Sequence, residues 1–338
     1  VEILYGEDMQ SGIWDWIREN QLFIDIAYLN RPHIAIKYID FLRENTGIRC
    51  IYYGHDLHFL RLLREYELNG DIRTKRESDY WKSIEFTVMQ KADMSYYPSE
   101  AEVEAIHALD PKIRVKAITA YLWEDFLPCG KSGALLSETG EETDYAKREG
   151  LLFVGGFAHP PNEDGVLWFV KDVFPKIREK VPDMNFYIVG SKAPEEITAL
   201  GAEPEKTGIH VLGYVSDEEL AALYQKTKIT VVPLRYGAGV KGKVVEAIYN
   251  GAVVVTTSVG AEGIPDPERV LATVNETETE LREHPEAVAE SFAEAVLKLY
   301  RNDGMLAAIS SETQRYIKRH YSMDAAWRII APDFAMVK

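Results

Sequence analysis

Short β-rich runs alternate with helical patterns along most of this chain, and that alternation restricts it to parallel, doubly wound sheets. In the first half, residues 1–5, 24–29, 48–53, 94–97 and 115–119 read as strands. Residues 12–19, 34–44, 57–68, 79–91 and 100–109 read as helices between them. A continuous apolar run such as Cys50-Ile51-Tyr52-Tyr53 fits a strand covered on both faces. Residues 128–150 break the rhythm: they are rich in Gly, Ser, Thr, Glu and Lys and have no apolar period, so they read as a linker or mobile loop. The alternation then restarts. Strands are expected at 151–154, 185–189, 210–212, 229–232, 253–256 and, weakly, 270–274; helices at 163–180, 194–200, 217–225 and 243–250. The tail from 286 to 330 is mostly helical.

The expected architecture is two Rossmann-like domains facing across a cleft: 1–127, then 151–310 after the 128–150 segment, with helices in 311–338 packing back on the first domain. Ligands of such sheets bind beyond the carboxyl ends of strands, so the loops after strands are where chemistry is sought. The chain opens on Val1 rather than Met, directly in a strand-like run, which makes a reduced or incomplete first domain the expectation.

Charge narrows the function. The formal net charge is −16 over 338 residues, with an acidic balance in both halves, which argues against a broad basic face for nucleic acid. An anionic ligand would then depend on individual Arg and Lys residues. The two cysteines, Cys50 and Cys129, lack metal-type spacing and suit a reducing compartment. No apolar run approaches the roughly 18 residues of a membrane span, and no signal peptide opens the chain. A cytoplasmic protein, peripheral to a membrane at most, is expected.

The segment from 229 to 264 carries the chemistry. A buried strand ends at Pro233, and Gly237, Gly239 and Gly242 follow, where backbone can approach a ligand closely. A helix begins near Lys243, and its free N–H groups and dipole favour an anion. Arg235 and Lys241 put two cations beside that helix end, a combination suited to a diphosphate. Glu246, in the first turns, can accept hydrogen bonds from the paired hydroxyls of a ribose. A Gly-rich turn with solvated lysines would look the same from these residues alone.

The pattern Arg235-x-Gly-x-Gly-x-Lys-x-Lys-x-x-Glu246-Ala, continued by Gly260-Ala-Glu-Gly263, resembles the bacterial polysaccharide-type branch of family 4 retaining glycosyltransferases. The run 152–164, through Pro-Pro-Asn162-Glu-Asp, Trp168, and 210–224 are similar to the same branch, so the likeness covers most of 151–265. It implies the glycosyltransferase-B fold and a nucleoside-diphosphate sugar as donor. It assigns Arg235 and Lys241 to the diphosphate as catalytic groups, Glu246 to the ribose, Gly155 and Gly156 to the phosphate-facing loop, and the backbone of Gly213, Tyr214 and Val215 to the base. Two departures matter. Many relatives carry Glu-x7-Glu, and the first position here is Ala238; backbone amides of Gly239 and Val240 are the candidates for the sugar. Many relatives also have Gly-Arg-x4-Lys after the first strand of this domain, where this chain reads Gly156-Phe157-Ala158-His159.

Sugar transfer builds oxocarbenium character, as in glycoside hydrolysis, with charge on the departing diphosphate. The resemblance implies retention. There is no Asp-x-Asp motif, so metal independence and no cofactor are expected; His55 and His58 lack a third ligand nearby in sequence. In the first domain, His55 and Asp56 end a strand as a helix begins, and Arg31 ends another. The resemblance places such a His near the reacting sugar. Arg31 and Asp56 are acceptor-side candidates, although Asp56 also reads as a helix cap and Arg31 as a surface helix start. Arg73, Lys75, Arg76 and Lys82, mixed with Tyr80 and Trp81, read as a solvated loop entering a helix or as a membrane-surface contact. Tyr121 and Trp123 read as packing or hinge residues ahead of sugar platforms. The expected reaction moves a hexose or deoxyhexose to a glycan or lipid-linked acceptor. A nucleotide-sugar epimerase and a non-catalytic nucleotide-sugar-binding subunit are the alternatives.

Overall fold

The computed structural model describes residues 3–136, 140–274 and 276–335. The chain forms two compact units: unit 1 holds residues 1–120 and 326–338, and unit 2 holds 121–325. Each is built on its own parallel sheet.

Unit 1 carries strands β1 (Ile26–Asn30), β2 (Arg49–Tyr53), β3 (Met94–Tyr97) and β4 (Val115–Ala117) in sequential order. Its core is Ile39, Cys50, Tyr52, Leu57, Val88, Tyr97 and Ile106 on one face. Ile51, Tyr53, Met94, Tyr96 and Ala326 pack on the other. The end of the helix Met323–Phe334 belongs to this second layer: Tyr96 donates to Asp333 at 2.6 Å, and Lys116 pairs with Asp333 at 2.5 Å. The strand expected at 1–5 does not form. Ile3–Tyr5 is irregular and exposed, Val1 and Glu2 lie outside the described residues, and the first element is the helix Glu7–Asn20.

The basic stretch expected as a loop at 71–82 is helical, because Asp71 caps the helix Ile72–Lys91 by accepting from Arg73 N at 2.9 Å. Ile72 and Tyr80 are exposed on it, and Lys75 pairs with Asp79 one turn along.

Unit 2 carries β5 (Leu151–Val154), β6 (Phe186–Val189), β7 (Ile209–Gly213), β8 (Ile229–Val232), β9 (Val253–Thr257) and β10 (Leu271–Val274). Their order is β10-β9-β8-β5-β6-β7. The strands are mostly Val, Ile, Leu and Phe because helices cover both faces. The helix expected at 163–180 forms with a π turn at Phe169–Val173. Pro175 lies two residues beyond; it lacks an N–H and its ring crowds the Lys171 carbonyl four residues back, within this turn. Phe169, Phe186 and Phe292 meet there with ring centroids 4.9 and 5.7 Å apart.

Residues 128–150 fall inside unit 2. Leu135 and Tyr145 are buried, and Tyr145 donates to Gly251 O at 2.9 Å; Ser137–Thr139 lie outside the described residues. Composition reported polarity here but not the two apolar anchors that fasten the segment.

Candidate functional site

The order of the second sheet places the site. The chain winds outward from β5 through β6 to β7, then returns to the other side of β5 for β8. Neighbouring connections leave the sheet in opposite directions at β5 and β8, and a crevice opens at their carboxyl ends. Into it come the loop after β5, with Gly155 and Gly156, and the loop after β8, which leads to the helix Gly242–Tyr249.

Close backbone approach sets the first loop. Gly155 N donates to Val189 O at 2.9 Å, and Gly190 N to Gly213 O at 2.8 Å. A Cβ on Gly190 would overlap the Gly155 carbonyl oxygen, an atom that cannot swing away. Gly190→Ala is therefore expected to cost about 1–3 kcal/mol by overpacking, read as a fall in the melting temperature of unit 2; an unchanged melting temperature would contradict this packing. In the second loop, Gly237 and Gly239 have φ of 146° and 74°, which L side chains rarely adopt. Thr256 and Thr257 of β9 donate to Val232 O (2.8 Å) and Leu234 O (2.5 Å) and fix the loop's departure.

Two adjoining cavities result. One, of about 340 Å³, is lined by Gly155, Gly156, Asn162, Gly190, Tyr214, Val215, Asp217, Leu220, Lys243 and Glu246. The other, of about 540 Å³, is lined by Tyr121, Trp123, Gly242 and Tyr249 and shares Asp217, Leu220, Lys243 and Glu246 with the first. Lys243 and Glu246, three apart, point the same way from the helix. Lys241 is that helix's N-cap and makes no side-chain cap bond, so the first-turn N–H groups keep no acceptor from the cap. Trp123 stacks on Tyr249 with centroids 4.7 Å apart, and Tyr121 packs its hydroxyl end on Gly242.

Of the residues expected at the donor, Gly155, Gly156, Tyr214, Val215 and Glu246 line this space. Arg235, Lys241, Gly213, Gly239 and Val240 do not. Arg235 forms a two-pronged ion pair with Asp164 of the helix Pro160–Trp168, with Nε 2.8 Å from Oδ2. Lys241 is buried; its ammonium donates to Gly239 O at 2.5 Å and lies 3.4 Å from Glu262. The cation that faces the cavity is Lys243. Its amine donates to Asn162 Oδ1, sits 4.8 Å from the centre of the Phe153 ring, and is pushed down to about 7 by burial and by Lys241. The spacing of Lys243 and Glu246 on one helical face could have revealed it; the partnership of Arg235 with Asp164, 71 residues away, could not. Burial, then the charge of Asp217, raises the Glu246 carboxyl. The Tyr224 hydroxyl is fully buried and, among the described residues, without a hydrogen-bond partner.

In unit 1, two non-glycine residues with left-handed backbone follow adjacent strands: Arg31 (φ 65°) after β1 and His55 (φ 68°) after β2. Such strain gathers at functional sites. His55 Nε2 lies 2.5 Å from Asn30 Oδ1, and burial and Arg31 hold the ring below its ordinary range, hence neutral at pH 7. Asp56 does not cap the helix His58–Asn69; it pairs with His58 (3.3 Å) and Arg61 (3.4 Å). The cap comes from a distance instead, with the buried Glu85 accepting from His58 N and Phe59 N at 2.9 and 3.2 Å. Among the described residues no three His, Cys, Asp or Glu side chains gather as a metal-ligand set. No described helix is long and apolar enough to cross a membrane.

Comparison with known proteins points to the same region. A 44.6 kDa protein of Klebsiella pneumoniae, described as uncharacterized and in cps region, is 35% identical over 116 residues, covering 33% of this chain and 30% of that protein. Among solved structures, S. aureus TarM superposes with a TM-score of 0.68 at 14% identity, over 96% of this chain and 57% of TarM. Anabaena Alr3699/HepE, solved with UDP and glucose, superposes with a TM-score of 0.65 at 14% identity, over 99% of this chain and 84% of that one. At such identities the likeness shows the fold, glycosyltransferase-B with two Rossmann-like units. Residues 148–302, the segment that holds both cavities' loops and helices apart from Tyr121 and Trp123, match the family described as glycosyl transferases group 1.

Proposed function

We propose that the chain transfers a hexosyl or deoxyhexosyl group, with retention, from a nucleoside-diphosphate sugar to a glycan or lipid-linked acceptor. The observation that carries this is the meeting of the Gly155–Gly156 loop, Lys243 and Glu246 in one cavity at the switch point of the second sheet. Lys243 takes the diphosphate, Glu246 the ribose, and the Tyr214–Val215 backbone the base. Lys241 and Arg235 act on the second loop: one gathers the Gly239 carbonyl, the other ties the loop to Asp164. With its carbonyls held, the loop presents the amides of Gly239 and Val240 to the sugar. Charge on the leaving diphosphate then meets Lys243 and the helix N–H groups, with no metal or cofactor required. Arg31, His55 and Asp56 form the acceptor-side crest of unit 1. The match to glycosyl transferases group 1 and the cps-region relative support polysaccharide assembly; a place on the cytoplasmic side, peripheral to a membrane, is part of the same proposal.

The test is slow transfer to water. The tightest-binding of the glucose nucleotides of uridine, guanosine, adenosine and thymidine is incubated without acceptor, and the released sugar is read by NMR. Release of the α anomer from an α-linked donor is expected. Initial release of the β anomer would refute retention, and donor binding with no sugar release, to water or to any acceptor added in a second incubation, would favour a non-catalytic subunit.

A further inference from the structure

Asn162 is buried, and it links two parts of the cavity that lie far apart in sequence. Its Nδ2 donates to Gly156 O at 2.6 Å, and its Oδ1 accepts from the Lys243 amine. Among the described residues no carboxylate forms an ion pair with Lys243, and the charge that acts on it is the like charge of Lys241 at the helix N-cap. Packed around Lys243 are the Phe153 ring from β5, Gly155 and Asn162 from the first loop, and the Gly242 end of the helix, none of which carries a negative charge. Asp217, from the helix Asp217–Lys226, and Glu246, on the same helix as Lys243, line the cavity as well. A Cβ on Gly155 would lie 2.6 Å from Lys243 Nζ, so the amine is seated directly against the glycine loop.

We propose that Lys243, positioned by Asn162, takes up a proton as a diphosphate enters the cavity, so that donor binding is proton-coupled. This rests on the proposed donor site and adds a property that site need not have. An ammonium without a counterion in a low-dielectric pocket sheds its proton, and a dianion placed beside it restores the charged form. Burial and Lys241 already hold the empty-site amine near 7. Charged Lys243 is the binding form, so affinity is full below that value and falls as pH rises above it. Asn162 supplies the one partner that serves both states. Its carbonyl oxygen can accept from the amine and, more strongly, from the ammonium while carrying no charge itself, whereas an aspartate there would lock the charge in place.

The experiment is calorimetry of the full chain with UDP-glucose, GDP-glucose, ADP-glucose and dTDP-glucose, whose diphosphates do not titrate between pH 6 and 8. Each is run in phosphate and in Tris, buffers of different ionisation enthalpy. For an empty-site value near 7, affinity is expected to weaken about tenfold from pH 6 to pH 8, and about 0.9 proton is taken up at pH 8 against about 0.1 at pH 6. Lys243→Arg, charged throughout, is expected to bind with no proton uptake and a flat pH profile. Asn162→Asp is expected to abolish the uptake, because the new carboxylate pairs with Lys243 and keeps it charged in the empty site, and Asn162→Ala to weaken binding at both pH values. The Arg and Asp variants separate proton coupling from a merely structural role, because both keep the cavity filled. Binding that is flat with pH and free of proton exchange in the unaltered chain would overturn this inference and leave the donor site standing. Uptake that persists in Lys243→Arg would assign it to Glu246 or Asp217 and overturn it equally. No binding of any of the four at either pH would overturn the donor site itself.

Discussion

Replacing Lys243 by methionine is expected to lower sugar release from the donor by about 100- to 1000-fold, the usual loss when one preorganised group facing transition-state charge is removed. Arg235 spends its guanidinium on Asp164, and Lys241 spends its ammonium on Gly239 O and Glu262. Lys243 alone of the three lines the cavity, and both lobes share it. Methionine keeps the length and the contact with Phe153 while removing the charge. The expected split is informative: kcat falls more than KM rises, because charge on the diphosphate grows toward the transition state. Equal catalysis in Lys243→Met, with the protein folded by circular dichroism, would return the diphosphate to Arg235 or Lys241.

Glu246→Ala is expected to act on binding. A hydrogen bond to a charged group contributes about 1.5–3 kcal/mol, which is a rise of roughly 10- to 150-fold in donor KM. Asp217 and burial raise the Glu246 carboxyl, so part of this contact is expected to be lost already in mild acid. Sign and window follow from the direction. A raised carboxyl protonates earlier than usual, and affinity owed to its ionised form is present above that range and falls below it. Glu246→Gln keeps the shape and one acceptor oxygen, and is expected to recover most of the affinity and to remove the acid limb. If instead Glu246→Ala changes neither KM nor its pH profile, the ribose contact lies elsewhere.

The strand–helix rhythm was legible because strands covered on both faces must be apolar throughout; β5, β8 and β9 stand where that rule puts them. Failures came where a long-range partner decided. The helix His58–Asn69 is capped by Glu85 rather than by Asp56 beside it. Arg235 is claimed by Asp164, and no local pattern announces a carboxylate 71 residues away. Lys243 was readable in principle, since it shares a helical face with Glu246, yet the Gly-rich loop drew attention to the cations before the helix. Residues 128–150 looked like a linker because polarity is visible in composition, while the seating of Leu135 and Tyr145 is a property of the folded unit.

The central claim is that unit 2 holds a nucleoside-diphosphate sugar through Lys243 and Glu246. Thermal unfolding with and without the sugar nucleotides tests it most directly. At 100 times its dissociation constant a ligand stabilises by about 2.7 kcal/mol, and each kcal/mol moves the melting temperature of a unit this size by about 2–4 °C. A shift of roughly 5–11 °C is expected for at least one nucleotide sugar, with a smaller shift in Lys243→Met at the same concentration. An unshifted melting temperature with every nucleotide, or an equal shift in the variant, would contradict it.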